Sequence, residues 1–128
     1  KARVVARDER ESGQRMLLNL GHTMGHAIEA ARGLGGVRHG EAVALGMVGA
    51  FRVAARLGDQ RAAGHEARLC RLLERLRLPI DVDAHWDDKA AALVGVDKKR
   101  RGGRVSFIAP GAPGEARAVP LRPDDVRP

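Results

Sequence analysis

The sequence has no tyrosine, one tryptophan, two phenylalanines and one cysteine among its 128 residues. A lone cysteine cannot form a disulfide within the chain, so the fold has to rest on a hydrophobic core. We expect Cys70 to be a buried small hydrophobe and the setting to be cytoplasmic. The shortage of aromatic rings also removes the platform on which single-stranded nucleic acids stack their bases.

Long hydrophobic runs are absent as well. The longest, AVALGMVGAF at residues 42–51, is far shorter than the roughly 18 residues that span a bilayer. The chain opens on Lys1, in KARVVARDE, without a signal-like apolar segment. We therefore expect no membrane partner, and we interpret the sequence as a fragment of a longer protein.

The charge balance is basic, with a net charge of +7 that is carried mainly by arginine. A basic balance favours nucleic acids or anionic small molecules as partners. The proportions of hydrophobic and charged residues, 44% and 30%, are typical of a globular protein. We expect a single domain over residues 1–128.

The hydrophobic spacing predicts a mainly α fold with a small β-hairpin near the C-terminus. One helix should begin near residue 10 and continue to the glycines at 33–36, and Asp59 should cap the third helix. The strand RVSFIAP is followed by a turn and by a returning partner, ARAVPL. The further helices are expected at 40–57, 60–76 and 86–94.

Three of the five histidines are close together in the sequence: His22, His26 and His39. His22 and His26 are one helical turn apart on one face, which suits two ligands of a zinc-like ion or, equally, two partly buried histidines. Gly21 and Gly25 precede them and would let another element or a ligand approach closely. His39 could fold back onto the same place, where Glu29 and Glu41 are the nearby carboxylates.

Arg15 and Asn19 extend this row, since they precede His22 and His26 at helical spacing. A continuous helix would place a guanidinium, an amide and two imidazoles on one stripe. The stripe could be a solvated face, or it could bind an anionic, hydroxylated ligand through the arginine.

Two other basic segments have simpler interpretations. VDKKRRGGR, residues 96–104, could hold a phosphate or be a solvated charge run. Arg68, Arg71 and Arg75 share one face of the third predicted helix, and we expect them to be solvated surface.

Taken together, the segments LNLGHTMGHAIEA and HGEAVALGMVGA closely resemble the C-terminal domain of the 3-dehydroquinate synthase family, and the similarity extends from Lys1 to about Lys99. The resemblance implies a mainly helical domain that faces an N-terminal, NAD-binding α/β domain, with the active site between them. It implies NAD and a divalent metal, zinc or cobalt, as cofactors, and a homodimer. It also implies the conversion of 3-deoxy-D-arabino-heptulosonate 7-phosphate to 3-dehydroquinate and phosphate, a carbon–oxygen lyase reaction of the shikimate pathway.

The same resemblance assigns residue roles. His22 and His39 are similar to two of the three metal ligands, the third being a glutamate upstream of this chain. His26, near the phosphate, Asn19 and Arg15 are similar to residues that act in catalysis and also bind the substrate. The resemblance further implies that the substrate is held by Arg15, Lys1 and Lys98, with Lys99 as an alternative to Lys98. The cofactor contacts would belong mainly to the N-terminal domain.

Four alternatives remain open. Sister sugar phosphate cyclases would share the fold and cofactors, and metal-dependent polyol dehydrogenases are more distant. A basic helical module that binds nucleic acid would fit the charge but not the scarcity of aromatic residues. A remnant that keeps the fold without catalysis would preserve the packing alone.

Overall fold

The computed structural model describes residues 14–94, 96 and 103–128. These residues form a mainly α fold with one antiparallel hairpin, which confirms the predicted class. The helices are α1 His22–Arg32, α2 His39–Arg56, α3 Gln60–Arg75 and α4 Asp88–Val94. The strands are β1 Val105–Pro110 and β2 Ala116–Leu121, and short 3-10 helices cover Gln14–Asn19, Asp83–His85 and Pro123–Asp125.

Helix α2 lies at the centre of the fold because its sequence is apolar on most sides. Its small and aliphatic residues are buried against α1, α3 and the hairpin. Two clusters form the core. One joins Met24 and Val53 to Phe107 of β1, and the other joins Ile28 and Leu45 to α3. Burial of these apolar side chains is the main stabilising contribution to the domain.

The sequence predicted one continuous helix through LNLGHTMGHAIEAAR, and that prediction is wrong. The 3-10 helix Gln14–Asn19 ends before Leu20, and α1 begins only at His22. Between them Gly21 has a φ of +81°, a left-handed conformation that glycine adopts without a steric penalty. The proposed stripe from Arg15 to His26 therefore does not lie on a single helix.

The other boundaries agree closely with the prediction. Asp59 caps α3, where its carboxylate accepts a hydrogen bond from the backbone N–H of Arg61 at 3.2 Å. Strands β1 and β2 pair in antiparallel register, with Val105 opposite Leu121. Cys70 is partly rather than fully buried, and this burial raises the pKa of its thiol.

An ionic junction joins α3 to the hairpin, and we call it the hairpin junction; it consists of Asp59, Arg61, Glu115 and Arg117. The Arg117 guanidinium on β2 donates to the Asp59 carboxylate at 2.9 Å, and Arg61 lies between Asp59 and Glu115. Hydrogen bonds from Arg61 and then Arg117 lower the pKa of Asp59. A nearly buried carboxylate is thus fully paired, as burial of a charge requires.

Among the described residues, no helix has the length and the hydropathy needed to cross a membrane.

Candidate metal and substrate site

The site is built where α1 and α2 pack against each other at unusually short range. A Cβ atom added at Gly21 would lie 2.6 Å from the backbone N of Met47, and one added at Gly25 would lie 2.9 Å from the carbonyl O of Ala42. A Cβ at Gly46 would overlap the carbonyl oxygen of Gly21. We call this contact of Gly21, Gly25 and Gly46 the helix crossing. The prediction that Gly21 and Gly25 permit a close approach is confirmed.

The helix crossing brings the three predicted histidines together. The ring centroids of His22 and His26 are 5.4 Å apart, those of His26 and His39 are 5.7 Å apart, and those of His22 and His39 are 5.9 Å apart. One nitrogen from each ring lies within 4.8 Å of the others. Neutral imidazole nitrogens at this spacing can hold a zinc-like cation. Because the three distances are similar, they do not show which two of the rings would be the metal ligands.

Hydrogen bonds distinguish the three rings. The Nδ1 atom of His39 lies 2.9 Å from the Glu29 carboxylate, and that of His22 lies 3.4 Å from the carbonyl oxygen of Leu20. Both partners are hydrogen-bond acceptors, so each Nδ1 is the donor, and in the neutral ring the lone pair is then on Nε2. His26 has no such ring partner among the described residues. The two rings oriented in this way are the two that the sequence resemblance assigns to the metal.

The other predicted site residues are not seen to join the histidine cluster in the described part of the structure. Asn19 is exposed at the end of the 3-10 helix, three residues before His22. The side chain of Arg15, and all of Lys1, Lys98 and Lys99, lie outside the described part of the structure. Glu41 is not turned to the histidines, because its carboxylate accepts the backbone N–H of Arg38 at 3.0 Å and closes the first turn of α2.

Glu29 is the residue whose contact the sequence did not predict. The sequence indicated only that Glu29 is a carboxylate near the histidines. It did not indicate whether His22, His26 or His39 is its hydrogen-bond partner. The signal is in the spacing, since Glu29 follows His22 by seven residues, two turns along one helix face. Knowing that His39 folds back onto that face would have completed the inference.

A separate cleft of about 550 Å³ lies between α3 and the hairpin turn. Its lining is mostly apolar, including Leu20, Phe51 and Leu72, with Arg68, Arg71 and Arg75 also contributing. These arginines are exposed, as predicted. Leu72 is 52% exposed, so part of the apolar surface of α3 is not buried in the core. None of the three histidines lines this cleft.

A comparison with protein families bears directly on this arrangement. The family model for the 3-dehydroquinate synthase C-terminal domain matches residues 1–100. The chain belongs to this family. The matched region contains the three clustered histidines. It also contains Gly21, Gly25 and Gly46, so the helix crossing lies within it.

Curated relatives in the 3-dehydroquinate synthase family are similar over nearly the whole chain. The 3-dehydroquinate synthase of Symbiobacterium thermophilum is 45% identical over 99% of this chain and 36% of its own length. That of Halorhodospira halophila is 48% identical over 91% of this chain and 32% of its own length. The chain therefore spans about a third of the length of the curated relatives it matches.

Among solved structures, the chain is similar to 2-deoxy-scyllo-inosose synthase in complex with carbaglucose-6-phosphate, NAD+ and Co2+. The TM-score is 0.63 at 24% identity, over 91% of this chain and 33% of the other. At this identity the likeness establishes the dehydroquinate synthase-like fold.

Proposed function

We propose that this chain is the metal- and substrate-binding domain of a 3-dehydroquinate synthase. The whole enzyme would convert 3-deoxy-D-arabino-heptulosonate 7-phosphate to 3-dehydroquinate and phosphate. The convergence of His22, His26 and His39 within 4.8 Å is the observation that carries the proposal. Relatives of 41–50% identity that are named 3-dehydroquinate synthase support this substrate over that of a sister cyclase.

In this proposal His22 and His39 hold the divalent metal, zinc or cobalt, because their Nδ1 atoms are tied to acceptors and their Nε2 atoms are free. The bound cation would lower the pKa of a substrate hydroxyl and assist its oxidation. A third ligand, a glutamate, would come from the preceding part of the protein. The donor set fits zinc and cobalt, since both accept imidazole nitrogen.

His26 would face the substrate phosphate. It is exposed, lies one turn after His22, and its ring nitrogens have no hydrogen-bond partner among the described residues. An imidazole there can donate to a phosphate oxygen or move a proton at it. Asn19 would hydrogen-bond a substrate hydroxyl, and Arg15, Lys1 and Lys98 would hold the carboxylate and the phosphate by charge.

NAD would be bound mainly by an N-terminal α/β domain, and the enzyme would act in the cytoplasm as a homodimer. We expect the 128-residue chain alone to release no phosphate from the substrate, since hydride transfer needs the cofactor. Turnover above background by that chain would contradict this expectation. Fusing the chain to the N-terminal two thirds of the Symbiobacterium relative should create phosphate release that depends on NAD and metal.

The metal assignment is tested by titrating the chain with Co2+ and following the visible absorption of the bound ion. We expect His22→Ala and His39→Ala to weaken binding at least tenfold, and His26→Ala to weaken it far less. His65→Ala, on α3, is the matched control. If His26→Ala weakens binding as much as His39→Ala, the roles of His26 and His39 are wrongly divided.

A further inference from the structure

We propose that Glu29 is a positioning residue for the metal site: its carboxylate accepts a hydrogen bond from the Nδ1–H group of His39, which leaves the Nε2 lone pair directed to the cation. The inference rests on the proposed function, because it assumes that His39 is a ligand. Glu29 itself would touch neither metal nor substrate and would act through the imidazole.

The contact links two elements that the chain separates by a loop. Glu29 is in the last two turns of α1, and His39 is the first residue of α2. The Glu29 Oε2 atom lies 2.9 Å from His39 Nδ1. This is the short distance of a hydrogen bond to a charged acceptor. The His39 side chain is 57% exposed, so packing restrains the ring little. The carboxylate is the one hydrogen-bonding partner of that ring among the residues described.

The chemistry fixes which nitrogen is free. An ionised carboxylate can only accept a hydrogen bond, so Nδ1 must carry a proton, and in the neutral imidazole the lone pair must then be on Nε2. In solution a free imidazole samples both tautomers, and a ligand that has to switch tautomer binds more weakly. A carboxylate behind a metal-bound imidazole also raises its basicity. The longer, uncharged contact of His22 with the Leu20 carbonyl, at 3.4 Å, gives less of both effects.

Glu41 provides a natural control, because it is only two residues from His39 and carries the same group. Its carboxylate accepts the backbone N–H of Arg38 at 3.0 Å and stabilises the start of α2. A variant at Glu41 therefore disturbs the helix end where His39 begins without touching the imidazole. Any effect of Glu29 that arises merely from loosening this helix end should appear in the Glu41 variant too.

The first measurement needs no metal. In the 128-residue chain with 15N-labelled histidine, at about pH 8 and above the usual histidine pKa of about 6.5, long-range proton–nitrogen spectra report the tautomer of each ring. We expect His39 to be in the Nδ1–H form in the wild type and in Glu41→Gln. Glu29→Ala should shift it towards the Nε2–H form. An unchanged tautomer in Glu29→Ala would overturn the proposal.

The second measurement is the Co2+ titration. We expect Glu29→Ala to weaken Co2+ binding about 10- to 100-fold. Glu29→Gln, which keeps an acceptor oxygen without the charge, should lie between it and the wild type. Glu41→Gln should stay within about twofold of the wild type. Circular dichroism checks that each variant is folded, and the near-isosteric Glu29→Gln carries the test if Glu29→Ala is not.

The outcomes separate this proposal from the proposed function. If His39→Ala weakens Co2+ binding but neither Glu29 variant does, Glu29 is not a positioning residue and the metal site stands. If His39→Ala leaves Co2+ binding unchanged, the ligand assignment fails, and the proposal falls with it whatever the tautomer. Equal losses in the Glu29 and Glu41 variants would also overturn it, because they would indicate a general loosening of α2.

Discussion

The helix crossing and the hairpin junction solve opposite problems with polar side chains. At the hairpin junction the buried Asp59 carboxylate is matched by the guanidinium groups of Arg61 and Arg117, so this buried charge has counter-charges. Beside the helix crossing three imidazoles lie close together, and the Glu29 carboxylate is hydrogen-bonded to one of them. Clustered imidazoles contribute little to stability, and their unprotonated nitrogens are the kind of ligand that a cation needs. The paired charges of the hairpin junction and the candidate metal ligands thus lie in different places.

The largest effect should follow from filling the helix crossing. In Gly46→Ala the added methyl group would overlap the carbonyl oxygen of Gly21 and lie 2.7 Å from the backbone N of Gly25. Both contacts are to backbone, which cannot rotate away as a side chain can. We expect a loss of about 3 kcal/mol in the free energy of unfolding, together with weaker Co2+ binding as His22 and His39 move apart.

Gly64→Ala is the matched control for this change. Gly64 lies within α3, and a Cβ added there would meet nothing within 4 Å. Alanine in an open helical position should raise stability by about 0.5–1 kcal/mol and leave Co2+ binding unchanged. Thermal melts and Co2+ titrations of both variants are sufficient. A Gly46→Ala chain as stable as Gly64→Ala would show that the helix crossing is not tightly packed.

Much of the fold could be predicted from the sequence, because it depends on local patterns. The apolar run of α2, the Asp59 cap and the alternation in RVSFIAP each determine an element by itself. The break at Gly21 could not be predicted in this way. Helical spacing continues across it, and the left-handed conformation arises because α1 must approach α2 at Met47, a tertiary contact.

The candidate site was predictable in its members and less so in its geometry. His22, His26 and His39 were identified from spacing and from the family resemblance, and they do converge. The division of roles among them depends on hydrogen bonds to Leu20 and Glu29. These bonds depend on how the loop after α1 returns, and no local pattern encodes that.

The next largest effect should come from opening the hairpin junction. Asp59→Ala removes the cap of α3 and the carboxylate that Arg117 binds. We expect a melting temperature several degrees lower, a smaller change than in Gly46→Ala, with Co2+ binding unaffected. A change at the hairpin junction should therefore affect stability alone, whereas a change at the helix crossing should affect both stability and Co2+ binding. Weaker Co2+ binding in Asp59→Ala would mean that the two regions are coupled.

The hairpin junction should also make stability depend on pH in acid. The hydrogen bonds from Arg61 and Arg117 lower the pKa of Asp59 below its ordinary value of 3.8. A lowered native pKa stabilises the folded chain above the unfolded pKa, and this contribution is lost as the pH falls through the native value. The difference in unfolding free energy between the wild type and Asp59→Asn should therefore be constant from pH 7 to about 5. It should shrink below 3.8, and a difference that persists at the lowest pH would contradict the pairing.

The smallest effect should come from replacing Arg52, which forms ion pairs outside both the helix crossing and the hairpin junction. Its guanidinium donates to Glu66 at 2.9 Å and to Asp83 at 2.6 Å, and the hydrogen bond that it donates to Glu66 is the main cause of its raised pKa. The arginine is about a third exposed, so solvent screens the pairs. We expect Arg52→Met to lose less than about 1 kcal/mol, with Arg68→Met as the exposed control on α3.

Salt separates this contact from packing by the aliphatic part of Arg52. The difference between wild type and Arg52→Met should become smaller in about 1 M NaCl, where screening acts within roughly 3 Å, whereas the deficit of Gly46→Ala should not. A salt-independent deficit in Arg52→Met would instead assign its contribution to the buried methylene groups. In that case charge pairing would stabilise this fold mainly where the carboxylate is buried, as it is at Asp59.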